Sequence, residues 1–107
     1  TATMLVNTND AFAGVTGIDI STLAVGEQQM MYLPVYDAGT EGNNELAGTI
    51  PGPADGGEGL NAARDDVNYV ARHPGVVGNQ DGYAESVLEG VHKFDGPVAM
   101  LTVTRLN

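Results

Sequence analysis

Gln28-Gln29-Met30-Met31-Tyr32-Leu33-Pro34-Val35 runs directly into Tyr36-Asp37-Ala38-Gly39-Thr40-Glu41. The first part predicts the clearest strand, over 28–35. Gln29, Met31, Leu33 and Val35 alternate with Gln28, Met30, Tyr32 and Pro34, so each set lines one face. Both faces are partly apolar, which suits a strand between a core and a covering loop. Pro34 has no N–H for a ladder, so it marks an edge or a bulge near the strand's end. A bulge there would aim Asp37 out of the sheet. The second part turns at Gly39, with Asp37 and Glu41 on either side of it. Two carboxylates facing one point repel unless a cation or a proton lies between them. Hard oxygen ligands on a loop suit calcium rather than zinc, which prefers nitrogen and sulfur. The expectation is a calcium site at the tip of an antiparallel β-sandwich, with Asp10 arriving from an earlier loop. The same spacing also fits a plainer turn, in which Asp37 caps its own backbone and Glu41 is solvated.

Working outward, residues 98–104 predict a second confident strand, with Ala99, Leu101 and Val103 on one face and Met100 on the other. Residues 2–6 read as a short edge strand and 15–20 as another strand. Asn9-Asp10 before Ala11-Phe12 fits the cap of a helical turn, because Asp accepts hydrogen bonds from orphan amides. Residues 42–59 are loop-rich, punctuated by Pro51-Gly52-Pro53 and Asp55-Gly56-Gly57. Leu60, Ala63, Val67 and Val70 have helical spacing and predict a short helix over 61–72; 85–91 reads as a helical turn. Together these patterns give an all-β fold: an antiparallel β-sandwich with long loops and one or two short helical turns. It forms one domain over 1–107.

Composition narrows the function. Fourteen acidic residues against four basic ones give a net charge of -10, which excludes nucleic acid as a partner because phosphate binding needs clustered Lys and Arg. The same charge disfavours anionic lipid unless a bound cation intervenes. It suits either a salty environment or a cation-binding protein. With no cysteine there are no disulfides and no thiolate metal sites. No apolar run is long enough for a membrane span. The chain begins at Thr1 rather than at Met and reads as a processed or trimmed product.

In order along the chain stand Asn9-Asp10-Ala11-Phe12-Ala13-Gly14, Gly17-Ile18-Asp19-Ile20, Leu33-Pro34-Val35-Tyr36-Asp37-Ala38-Gly39-Thr40-Glu41, Ile50-Pro51, His73-Pro74 and residues 97–106. This series resembles the spondin domain, found in the matrix protein F-spondin and in secreted bacterial proteins. The Tyr-Asp-Ala-Gly-Thr-acid string is its specific part. The resemblance implies an eight-stranded antiparallel sandwich with calcium at one end, held by Asp10, Asp37 and Glu41. Glu41 replaces the aspartate of F-spondin, and Ala11 stands where an aromatic can stand, with Phe12 retained. The chain starts near the middle of the family pattern and lacks its first strands. The resemblance thus leaves room for a second chain that supplies them, or for identical copies that complement one another by strand addition. Residues 78–95 form a longer insertion that could present a partner surface.

Catalysis is not expected. His73 and His92 are the only histidines, and no nucleophile elbow, His-Glu-x-x-His pair or phosphate loop occurs. Zinc on the two histidines is possible in composition only. Glu58, Asp65 and Asp66 could form a second cation site in the loop 55–66, or simply a solvated acidic loop. Tyr36 is either a core residue beside the site or a ligand-facing ring. Two functional classes follow. One is a non-enzymatic, calcium-binding adhesion module, secreted, on the cell surface or periplasmic, that engages matrix, glycan or membrane. The other is a structural subunit of an oligomer or filament, in which calcium only stabilises loops.

Overall fold

A computed structural model describes residues 1–57, 61 and 67–107. The chain is all-β and antiparallel. Among the described residues six strands form, in order β1 (Ala2–Met4), β2 (Ala11–Gly14), β3 (Gln28–Leu33), β4 (Val35–Asp37), β5 (Ala71–Arg72) and β6 (Ala99–Thr104). They make one sheet of order β1-β2-β4-β5 and a separate β3-β6 ribbon. The strand predicted over 28–35 is therefore two strands in two sheets. Pro34 stands at the crossing, and its carbonyl accepts the Gly14 N–H at 3.1 Å. A residue without an N–H fits this joint, where the chain leaves one ladder and enters another.

Period-2 alternation holds in the ribbon. Gln29, Met31 and Leu33 are less exposed than Gln28, Met30 and Tyr32. They lie opposite Val103, Leu101 and Ala99 on β6. In the larger sheet, Met4, Phe12, Tyr36 and Arg72 form one row across all the strands. Phe12 and Tyr36 stack at 5.5 Å, and the Arg72 guanidinium lies 4.8 Å from the Tyr36 centroid. The opposite face buries Ala11, Ala13, Val35 and Asp37.

Several expectations need correction. Residues 15–20 form no strand; Val15, Ile18 and Ile20 are not spaced for one face, and Gly17 has φ +71°. Ala11-Phe12 is not a helical turn but the start of β2. Small side chains suit that strand, since a Cβ on Gly14 would come within 2.9 Å of the Thr1 carbonyl. The helix over 61–72 does not form at its far end, where Ala71–Arg72 pairs with β4; 62–66 lie outside the described residues. Of the helical turn over 85–91, a 3₁₀ turn at Gly90–His92 forms.

Every extensive contact between strands lies within a sheet. The main buried cluster is built by loops: Ile50, Val76 and Leu88, with Ala54, Val87 and Phe94 packed around them. Glu45 ties these loops together. It is 8% exposed, and its carboxylate accepts the N–H groups of Val77 and Gly78 at 2.8 and 2.9 Å and the Ser86 hydroxyl at 2.6 Å. Gly78 and Ser86 tie the 78–95 segment to Glu45 in this way. The radius of gyration is 16.4 Å, against about 13 Å for a compact chain of this length. The molecule is drawn out, and the ribbon keeps one wet face.

Candidate metal centre

Strand register brings Asp10 and Asp37 together. Ala11 lies opposite Asp37 in the β2-β4 ladder, and the ladder runs on as Ala38 donates to the Asp10 carbonyl at 3.3 Å. Asp10 just precedes β2 and Asp37 ends β4, so both carboxylates sit at one end of the sheet. Asp37 is 2% exposed, on the core face. Tyr36 points to the other face, away from the pair, and stacks on Phe12.

The loop after β4 wraps around these acids. The Asp37 Oδ1 accepts the Gly39 N–H at 2.6 Å, so Asp37 does cap its own turn. Its Oδ2 accepts from the Asn43 side-chain amide. Gly39 has φ +73°, and a Cβ there would lie 2.6 Å from the Tyr69 backbone, so only glycine fits. The Asp10 Oδ2 accepts three hydrogen bonds, from the Thr40 N–H and hydroxyl at 2.7 Å each and from the Glu41 N–H at 3.0 Å. The Asp10 Oδ1 is buried and accepts no hydrogen bond among the described residues; the Asp37 carboxylate lies beside Asp10. Burial pushes the Asp10 carboxyl up, but the Thr40 and Glu41 donors, with the Asp37 side chain beside it, outweigh that and hold it below the usual carboxylate range. Glu41 titrates high, first through burial and then through the nearby charge of Asp10.

The three expected ligands thus divide. Asp10 and Asp37 are brought together, and Glu41 is close enough to feel Asp10. Among the described residues, no group of three or more Asp, Glu or His side chains is arranged to hold a metal ion. The fit to calcium rests on the pair: an all-oxygen donor set with a buried, unsatisfied Asp10 oxygen next to a second buried carboxylate. Loop carbonyls and water complete calcium shells in general.

Sequence reasoning missed His73 and Asn43 as neighbours of the pair. His73 is held mainly neutral by burial, against the opposing pull of Asp37, Asp10 and Glu45. Its Nδ1 accepts the Gly75 N–H at 3.0 Å, and its ring lies 5.0 Å from Phe94. No sequence signal pairs it with Asp37; β5, just before it, carries it alongside β4. His92 is elsewhere and accepts the Glu89 N–H at 3.0 Å. Asp55 accepts the Gly48 N–H at 2.6 Å and bridges a loop. Glu58, Asp65 and Asp66 lie outside the described residues. No helix among the described residues is long and apolar enough to cross a membrane.

The fold and site together define an acidic antiparallel β protein with a carboxylate pair at one sheet end. No family model, curated protein or solved structure matches the chain.

Proposed function

We propose that this chain is a calcium-binding, non-enzymatic interaction module of the spondin-domain kind, secreted or displayed at a surface. The observation that carries the reading is the buried Asp10 Oδ1, which has no hydrogen-bond donor among the described residues and belongs to a carboxylate beside the buried Asp37. A buried acceptor left unsatisfied costs about 1–3 kcal/mol in general, and two adjacent carboxylates repel, so such a site favours a counter-ion. Asp10 and Asp37 would hold the ion, with Glu41 adding charge close by. The bound ion would neutralise these acids and tie the 37–43 loop to the start of β2. The sandwich architecture and the engagement of matrix, glycan or membrane belong to the same proposal.

The second reading, a structural subunit in which calcium only stiffens loops, draws support from the uncharged β3-β6 ribbon. One experiment tests the metal reading common to both. Thermal unfolding is followed in calcium and in EDTA, for the wild type and for Asp37→Asn. Calcium should raise the midpoint of the wild type and have little effect on the variant. A wild-type midpoint indifferent to calcium would remove the metal from the account.

A further inference from the structure

We propose that the open edge of β3 docks a second copy of this chain, the two β3 strands pairing antiparallel about Met30. The inference stands apart from the metal site and survives if no cation binds.

The phase of the ladder sets the edge. The Glu27 carbonyl accepts the Arg105 N–H at 3.1 Å, so residue 27 turns its backbone toward β6. Antiparallel partners alternate along a strand. Gln29, Met31 and Leu33 therefore bond β6, while Gln28, Met30 and Tyr32 turn their N–H and C=O groups outward. Beyond that edge no further strand pairs with β3 among the described residues. The outward residues are symmetric about Met30. A two-fold axis there sets Met30 against its own copy and Gln28 against Tyr32. Each outward N–H and C=O then has a reciprocal partner, and the two-fold closes the assembly.

Side chains and charge point the same way. Gln28, Met30 and Tyr32 share the wet face with Met100, Thr102 and Thr104. Met30 is 63% exposed, Tyr32 72% and Met100 54%. Three of the four methionines in the chain lie on this ribbon, and thioether side chains adapt to a facing surface. The chain carries a net charge of -10, yet no residue of β3 or β6 is charged. Two such chains repel across their acidic faces but not here. An occupant of this edge must be neutral, extended over the same length and apolar in the same phase; β3 itself meets all three conditions. Open edges ordinarily carry lysine, proline or inward charge to prevent such pairing, and β3 carries none. The outward residues of β6 include two threonines, which makes its edge the less apolar of the two.

Sedimentation velocity over a range of concentrations tests this, together with amide exchange at Gln28, Met30 and Tyr32. We expect a dimer in which these three amides become protected as concentration rises. Met30→Lys, which sets two ammonium groups at the two-fold, should raise the dissociation constant by more than about tenfold. Met4→Lys, on the β1 edge and equally exposed, should leave the dimer intact. A monomer up to about 1 mM would overturn the proposal, since even weak association shows there. So would a dimer whose three amides exchange freely, a dimer that Met4→Lys dissociates and Met30→Lys does not, or a different polypeptide on this edge. If Met30→Lys fails to fold, exchange in the wild type decides.

Discussion

Replacing Glu45 by alanine should be among the most damaging single changes in this molecule. The side chain is nearly buried and receives two backbone N–H groups and the Ser86 hydroxyl. Truncation strands those donors, and a buried unsatisfied donor costs about 1–3 kcal/mol. The three do not count equally. Ser86 can turn toward the Leu88 carbonyl, now 3.4 Å away. Val77 is 47% exposed, so water reaches its N–H in part. Gly78 is buried and recovers nothing. A loss of about 3–4 kcal/mol follows, a large part of the roughly 5–15 kcal/mol that a small domain has. Glu45→Gln keeps one carbonyl for Gly78 and Ser86 and should cost about half as much. Glu45→Gly should be no worse than alanine, because Glu45 sits at φ +54°, where a Cβ is strained. Urea unfolding of the four proteins reads these values directly. Should Glu45→Ala fall within about 0.5 kcal/mol of the wild type, the range of ordinary surface changes, the role given to this carboxylate is wrong.

Gly39→Ala should destabilise by about 2 kcal/mol or more, since both φ and the Tyr69 backbone oppose a Cβ; thermal melting checks it, and an unchanged midpoint would refute it. The pH dependence carries a signature of His73. Its folded pKa lies below the ordinary 6.5, so the neutral ring's contribution is complete above that value and is lost as pH falls through the lowered folded pKa. Stability curves of wild type and His73→Phe should therefore differ in slope below pH 6.5 and run parallel above it; parallel curves throughout would refute the assignment. Asp55→Ala removes the acceptor for the exposed Gly48 N–H and should lower stability by about 1 kcal/mol without altering any calcium response.

The ribbon strands were readable because both alternate with period 2, whereas Pro34 read only as an edge or a bulge near the end of one strand, at the point where β3 gives way to β4. It did not announce that the break separates two sheets, which depends on where β6 and β2 lie. β2 was hidden by its own fitness for a central strand. Ala11, Ala13 and Gly14 are small because neighbours approach closely, and small residues after Asn-Asp look like a capped turn. The apolar residues of 15–20 suggested a strand, but propensity without a pairing partner does not make one. At the candidate site, the spacing of Asp37 and Glu41 singled out the loop after β4, and the register of β2 on β4 brings Asp10 to it. Glu45 left no trace, because its partners lie 32, 33 and 41 residues away and two of them are backbone groups.

The carboxylate pair is tested most directly by calcium titration in a calorimeter, comparing the wild type with Asp37→Asn and Asp55→Asn. Extracellular calcium modules bind at about 10⁻⁴ to 10⁻³ M, and a hundredfold excess over that constant stabilises by about 2.7 kcal/mol. The wild type and Asp55→Asn should bind one ion in that range, and Asp37→Asn should not. Binding of equal strength in all three, or in none, would contradict the claim that Asp10 and Asp37 hold a cation between them.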